Sequence, residues 1–317
     1  MNYYMYYKDE LDLTDDWDRW DLFISAFNLS DRLSTVFEKV EADIKCWLVF
    51  PEYDFEESEL PTGSSIISVE SGSEAQQLLP IIQKLSIKEY KTRRICIDAT
   101  GFMRAQLLFL LAYFKKNGFQ QVDVLYCEPG HYSKKENTKF SEGSLYETRQ
   151  VIGYQGSSSQ TQKKDLLIIS CGYDSQLISN VCQQYENSVI VPLLGFPSLR
   201  ADMYQESILR TIAVEEPFGS ADLREPIFAP ASDPFETANA ISSYIKANDC
   251  LDKYEHIYLC PLSTKPQVLG MGLVFLTEYD DKNVSVLYPF SEKYAKETSQ
   301  GISKIWKYTF EFGEMWV

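Results

Sequence analysis

The stretch ICIDATGFMRAQLLFLLAYFKKNGFQQVDVLYCEP, residues 95–129, carries the pattern that decides the fold. Residues 95–98 are a short apolar run of the kind that makes a buried strand. Thr100-Gly101 breaks the run. From Arg104 to Lys116, Leu107, Leu108, Leu110, Leu111 and Phe114 recur at near-helical spacing, and Lys115-Lys116-Asn117-Gly118 supplies a C-terminal stop. Residues 122–126 read as a second strand. Strand, glycine turn, helix and strand form a βαβ unit, which requires a parallel sheet with a right-handed crossover. Its ligand side lies past the strand's carboxyl end, where Thr100, Gly101 and Arg104 stand.

The same pattern recurs downstream. Residues 257–290 read IYLCPLSTKPQVLGMGLVFLTEYDDKNVSVLYPF, and setting Thr100 against Thr264, a shift of 164, lays VDVLYCEP over VSVLYPF with a slip of two in the loop. That shift puts Met103-Arg104 near Gln267-Val268. Upstream, IISVESGSEAQQLLPIIQKL from Ile66 resembles IFAPASDPFETANAISSYIKA from Ile227, a shift of 161. Further upstream, WLVFPEYDFEES from Trp47 faces PLLGFPSLRADM from Pro192, with Phe50-Pro51 opposite Phe196-Pro197. Identities are few, but the matches keep one order, as a duplicated half would.

Composition narrows the function classes. At 317 residues the chain is long enough to bury a large core. A hydrophobic fraction of 44% is that of a globular protein, and no apolar run approaches the ~18–20 residues of a membrane span. Thirty Lys and Arg against 46 Asp and Glu give a net charge of −16, which repels a phosphate backbone at long range. An extended nucleic-acid surface is therefore not expected, whereas a small anion in a local basic pocket is compatible. His131 and His256 are the only histidines, so zinc sites of the usual spacing and a Ser-His-Asp triad have little to draw on. No metal centre and no cofactor are expected. The seven cysteines form no CxxC pair, and several sit in strand-like runs where buried thiols are common. The start, MNYYMYYKDELDLTDDWDRW, lacks the basic head and apolar core of a signal peptide, which makes the cytoplasm the expected compartment.

In chain order, residues 1–40 read as an acidic, aromatic cap, with Leu22, Phe23, Phe27, Leu33, Val36, Phe37 and Val40 suggesting an amphipathic helix or helix pair. Residues 41–130 form a first Rossmann-like half, with strands at 44–50, 66–69, 95–98 and 122–126 and a helix at 75–85 after Ser71-Gly72-Ser73. Residues 131–165 are polar, end in GSSSQTQKK, and read as an inserted hairpin with a mobile tip, locally basic through Lys134, Lys135, Lys139 and Arg149. Residues 166–317 form a second Rossmann-like half, with strands at 166–170, 189–194 and 227–229. A helix opens at Asp233-Pro234 and runs to 247, and the alternating 305–312 ends the chain as an antiparallel edge strand. The fold class is α/β, built from two halves with mainly parallel sheets.

The strand-end loops set the available chemistry. Thr100 and Gly101 offer a hydroxyl and an approachable backbone, and Arg104 a planar bidentate donor. Ser263, Thr264 and Lys265 offer hydroxyls and a point charge, with Pro266 presetting the first helical turn. Gly172 and Asp174 stand in a third strand–glycine–helix turn. A phosphate or carboxylate is the natural guest of such turns. The competing interpretation is that each Thr caps its helix and each basic residue is surface. Neither GxxxxGK[ST] nor a strand-following GxGxxG is present.

These two turns, x-T-G-x-M-R before the first helix and x-S-T-K-P before the second, resemble the strand–TGGTKP–helix element of CRISPR-associated Rossmann-fold (CARF) sensors. A fused pair of such halves is similar to the SAVED domains of bacterial antiphage signalling systems. Phe102 replaces the second glycine, and Leu262-Ser263 stands where glycines belong. The resemblance implies a ligand-sensing or regulatory subunit that binds a nucleotide-type messenger and relays it to an effector. Two other classes stay open. One is a non-enzymatic scaffold that binds a protein partner through its acidic surface and 21 tyrosines. The other is an enzyme that uses strand-end carboxylates, with Asp98 and Glu128 as catalytic candidates beside Asp174 and Asp233.

Overall fold

A computed structural model describes residues 3, 7–62, 65–132, 141–157, 163–172, 174–199, 222–296 and 299–312. The chain divides into two compact units, one of residues 6–144 with 291–317 and one of residues 1–5 with 145–290. They are called the first and second unit below. In chain order the first elements are β1 (Tyr7–Leu11), β2 (Arg19–Ala26), α1 (Asp31–Lys39), β3 (Glu41–Val49), β4 (Ser65–Ser68) and α2 (Glu74–Lys84). Then come β5 (Ile95–Asp98), α3 (Arg104–Lys116), β6 (Gln121–Tyr132), β7 (Ser141–Gln150), β8 (Leu166–Ser170), α4 (Ser175–Gln184) and β9 (Val189–Gly195). After β10 (Asp222–Leu223) and β11 (Ile227–Ala229) lie α5 (Pro234–Ala247), α6 (Cys250–Lys253), β12 (Ile257–Pro261) and α7 (Lys265–Val274). The last strands are β13 (Val284–Tyr294) and β14 (Ser299–Glu311).

The sheet of the first unit runs β1-β14-β6-β5-β2-β3-β4. Its five strands from β6 to β4 pair in parallel, while β14 is antiparallel to both β6 and β1. Ranked by chain order, the parallel strands lie 3-2-1-4-5, the doubly wound arrangement. Local sequence places the helices. Ser73 caps α2 in a capping box with Gln76. The stop of α3 is Gly118, whose φ of 74° is left-handed and suits glycine. Helix α1 covers one face through Leu33, Val36 and Phe37, and Phe37 stacks on Trp47 at 3.9 Å. Helix α3 is buried from Arg104 to Phe114, which fits its near-continuous apolar sequence. Each fully buried leucine there contributes roughly 1.5–3 kcal/mol.

The sheet of the second unit runs β10-β9-β8-β12-β13-β7, with β11 also on β9. Strands β8 to β13 pair in parallel, and the third rank is shared by the short β10 and β11. The order is again 3-2-1-4-5. Strand β8 is buried on both faces, as a central parallel strand must be, and its sequence LLIIS is correspondingly unbroken. Helix α5 begins at Asp233, whose carboxylate accepts the amides of Phe235 and Glu236, with Pro234 next. Tyr3 also belongs to this unit, its buried hydroxyl donating to Glu278 Oε1 at 2.8 Å.

The fold is thus α/β with two mainly parallel, Rossmann-like sheets, as the sequence implies. Three readings change. Residues 19–26, expected within a helical cap, are the strand β2 at the centre of the first sheet, between β3 and β5. Its run LFISAF is short enough to serve either helix or strand, and pairing on both sides decides. The segment 141–157 does not project as an insertion. Strand β7 joins the second sheet, Val151 and Tyr154 are buried, and the amide of Val151 donates to the Val286 carbonyl. The expected tip and Lys134, Lys135 and Lys139 fall largely or wholly outside the described residues. Finally, β14 is not an edge strand, since β1 lies beyond it.

Candidate ligand turns at the strand ends

In a doubly wound sheet the crevice opens where the strand order reverses, between ranks one and four. In the first unit these are β2 and β5. Ser25 Oγ donates across them to Asp98 Oδ2 at 3.0 Å, and Asp98 Oδ1 accepts the amide of Thr100 at 3.0 Å. Burial pushes the Asp98 carboxyl up, against these hydrogen bonds and the Arg32 guanidinium. Gly101 then passes over the end of β2, where a Cβ would lie 2.0 Å from the Ala26 carbonyl oxygen. Only glycine permits that crossing. Tyr53 donates its hydroxyl to the Gly101 carbonyl at 2.9 Å, and Thr100 Oγ1 accepts the amide of Cys127 at 2.9 Å.

Thr100 therefore braces the turn and does not cap α3, whose N-cap is Met103 with no side-chain bond. Phe102 is fully buried and meets Phe50 edge-on at 5.9 Å. Arg104 begins α3 and is 9% exposed, so it is not a surface residue. Arg32, which sequence reasoning passed over, is a second buried cation here. It donates to the Cys127 carbonyl and to Ser30 Oγ. Behind the turn, Gln106 donates to Gln77 Oε1 at 2.7 Å, and Gln77 donates to Glu52.

In the second unit the reversal lies between β8 and β12. Ser170 Oγ accepts the amide of Ser263 at 3.1 Å. Gly172 lies against the exit of β12, where a Cβ would be 2.5 Å from the Leu262 carbonyl oxygen. Thr264 is the N-cap of α7. Its hydroxyl donates to the Ala231 carbonyl and accepts the amide of Gln267 at 3.5 Å. Lys265 is the first residue of α7 and is half-buried. Asp174 caps α4 by accepting the amide of Leu177 at 3.2 Å. The capping interpretation thus holds for Thr264 and fails for Thr100, and Asp174, offered as a ligand-turn residue, is a helix cap as well.

The caps also fix how the two turns correspond. Met103 and Thr264 are the N-caps of α3 and α7, a separation of 161, the same as between Ile66 and Ile227 and unlike the 164 set by the two threonines. With the caps aligned, Arg104 and Lys265 are both first helical residues, and Gln106 and Gln267 both third. Phe102 then corresponds to Ser263.

The carboxylates proposed for catalysis are held in separate networks. Glu128 accepts Trp306 Nε1 at 2.6 Å, and burial pushes its carboxyl up. Asp98 is held by Ser25 and Thr100. Among the described residues no group of three or more His, Cys, Asp and Glu side chains is placed to hold a metal ion. None of their helices is long and apolar enough to cross a membrane.

No family model matches the chain. No curated protein matches it either. Among solved structures, the adenylation, ketoreductase and pseudo Asub multidomain structure of a keto acid-selecting NRPS module resembles it with a TM-score of 0.23 and 10% identity, over 88% of this chain and 34% of that one. The chain spans about a third of that structure's length, and a likeness of this size carries no argument.

Proposed function

We propose that the chain is a ligand-sensing or regulatory subunit that binds a nucleotide or other phosphate-bearing small molecule at helix N-termini past the strand ends. One observation carries this reading: Arg104 and Lys265 occupy the same position, the first residue of the helix after the fourth-rank strand, in both units. A cation there adds to the positive end of the helix dipole. In a chain of net charge −16, such turns are the local exceptions that attract an anion. Descent of both units from one duplicated half belongs to the same reading and is supported by the shared strand order and the common offset of 161. The role in a bacterial defence system and the relay to a protein effector rest on the resemblance of the turns to CARF and SAVED sensors.

The test is a thermal-shift and calorimetric screen of nucleotides and of cyclic and linear oligonucleotides. It uses wild type, Lys265→Ala and, because Arg104 is nearly buried, Arg104→Lys. A charged hydrogen bond of ~1.5–3 kcal/mol predicts a loss of about ten- to hundredfold in affinity for Lys265→Ala, and added salt weakens binding further. Equal affinity in all three proteins removes these turns as the pocket. No binding, with a protein partner co-purifying, replaces this reading by the scaffold.

A further inference from the structure

One histidine of the second unit lies at the amino ends of the strands, away from the candidate ligand turns. His256 stands directly before β12 and is 8% exposed, and Ser285, the second residue of β13, is 0% exposed. His256 Nε2 and Ser285 Oγ are 2.8 Å apart, and the same oxygen accepts the amide of Gly156 at 3.0 Å. Gly156 belongs to the segment that follows β7 along β13. At one end of that segment the backbones of Val151 and Tyr154 bond Val286, and at the other Ser157 donates to the Lys282 carbonyl. A Cβ on Gly156 would lie 1.8 Å from the Val284 carbonyl oxygen, so the amide reaches Ser285 because the segment lies flat on the backbone of β13.

A serine hydroxyl carries one proton and accepts up to two. With the Gly156 amide donating to Ser285 Oγ, the arrangement that places every proton among the three groups has Ser285 donating to an unprotonated Nε2. A second proton on the imidazole reverses that bond. Both neighbours then donate to Ser285, and the serine's own proton is turned into a buried interior, which costs free energy unless it meets an acceptor. The charged donor holds the shared oxygen more strongly than an amide does, so the Gly156 bond is the one that yields. The surroundings set when this happens. Burial holds the imidazole below its ordinary 6.5, against Glu255 on the turn before β12. Burial also pushes up Asp165, which precedes β8 and bonds the His256 backbone, and Lys164 beside it accepts the Glu255 amide on its carbonyl. Tyr258 of β12 packs on the imidazole at 4.5 Å and on Tyr185 at 5.0 Å, while Asp281 and Lys282 before β13 form an exposed salt bridge with each other.

We propose that His256 is a proton switch: its protonation takes Ser285 from Gly156 and frees that end of the segment from β13, while Val151 and Tyr154 keep the other end on Val286. The clasp is complete above pH 6.5 and is lost as the pH falls through the lower folded value of His256. The switch needs no ligand and does not depend on the proposed function.

The experiment follows the His256 ring and the Gly156 amide by NMR on the full chain from about pH 8 to about pH 5, with hydrogen-exchange protection at Gly156 and Val151 measured at both ends and corrected for intrinsic exchange. It uses wild type, Ser285→Ala and His256→Gln. In wild type the two signals are expected to share one midpoint below 6.5. Protection at Gly156 is expected to fall about two- to tenfold at the acid end, the loss of one net hydrogen bond, with Val151 unchanged. In Ser285→Ala the Gly156 amide is expected not to follow His256, and in His256→Gln it is expected to stay level with pH. A Gly156 amide that stays level in wild type while His256 titrates overturns the switch and leaves a static contact. A His256 midpoint at or above 6.5 overturns it too, because protonation then strengthens the fold. Equal loss of protection at Gly156 and Val151 means that the whole segment opens, which also overturns it. Should either variant not fold, the wild-type titration decides alone.

Discussion

Replacing Gly101 by alanine tests whether the first turn is built as described. The added Cβ would lie 2.0 Å from the Ala26 carbonyl oxygen and 2.9 Å from Leu33 Cδ1. The nearer contact is with backbone, so no rotamer change relieves it. The turn has to lift by about 1 Å, because an unstrained carbon–oxygen contact needs more than about 3 Å. Lifting it loosens the hydrogen bonds from Tyr53 to Gly101 and from Cys127 to Thr100, each 2.9 Å long. Overpacking costs about 1–3 kcal/mol, and two weakened buried bonds add about 0.5–1.5 kcal/mol each, so about 2–6 kcal/mol in all. In a unit of this size the melting transition falls by at least about 5 °C. Gly118→Ala is the control: φ there is 74° with nothing within 4 Å of the added carbon, so only the left-handed backbone is penalised, by about 1 kcal/mol. Circular dichroism melts of both variants, with hydrogen exchange at the Cys127 amide, measure the difference. A Gly101→Ala protein melting within about 1 °C of wild type, or one hurt less than Gly118→Ala, refutes the reasoning.

Three further outcomes follow from named contacts. Asp98→Ala strips the acceptor from Ser25 and Thr100 and is expected to cost about 1–3 kcal/mol in a denaturant titration; an unchanged midpoint would show that Asp98 does not hold its turn. Tyr3→Phe removes a buried donor to Glu278, which keeps Ser242 and Lys246, so about 1 kcal/mol is expected, and no loss would show that this bond does not tie Tyr3 to the second unit. His256 bonds Ser285 Oγ through Nε2 at 2.8 Å, packs on Tyr258 at 4.5 Å, and is held below its ordinary 6.5 by burial, against the adjacent Glu255. Its contribution is therefore full above pH 6.5 and is lost as the pH falls through the lower folded value, so melting in the second unit should drop between pH 7 and 5 less steeply in His256→Gln than in wild type. Parallel pH profiles would assign that drop to other groups.

The helix at 104–116 was legible because apolar spacing, a glycine break and a lysine–glycine stop agree there. Asp233-Pro234 and Ser73 announced their helices through cap chemistry, which is local. Strand β2 was not legible. Its residues gain their assignment from β3 and β5, which lie later in the chain, and a six-residue apolar run has no period long enough to separate helix from strand. The same non-locality hid Tyr53, whose hydroxyl closes a turn 48 residues away. Of the candidate site, the glycines and the two cations were visible as residue types at strand ends. The alignment of Arg104 with Lys265 was not, because it depends on Met103, a residue with no capping chemistry, being the cap.

A crystal structure grown with the tightest nucleotide from the binding screen tests the central claim most directly. The account predicts a phosphate against the first turn of α7, within hydrogen-bond reach of Lys265, on the carboxyl-end side of the second sheet. Density for the nucleotide at the amino ends of the strands, or at a surface that includes neither Lys265 nor Arg104, would contradict it.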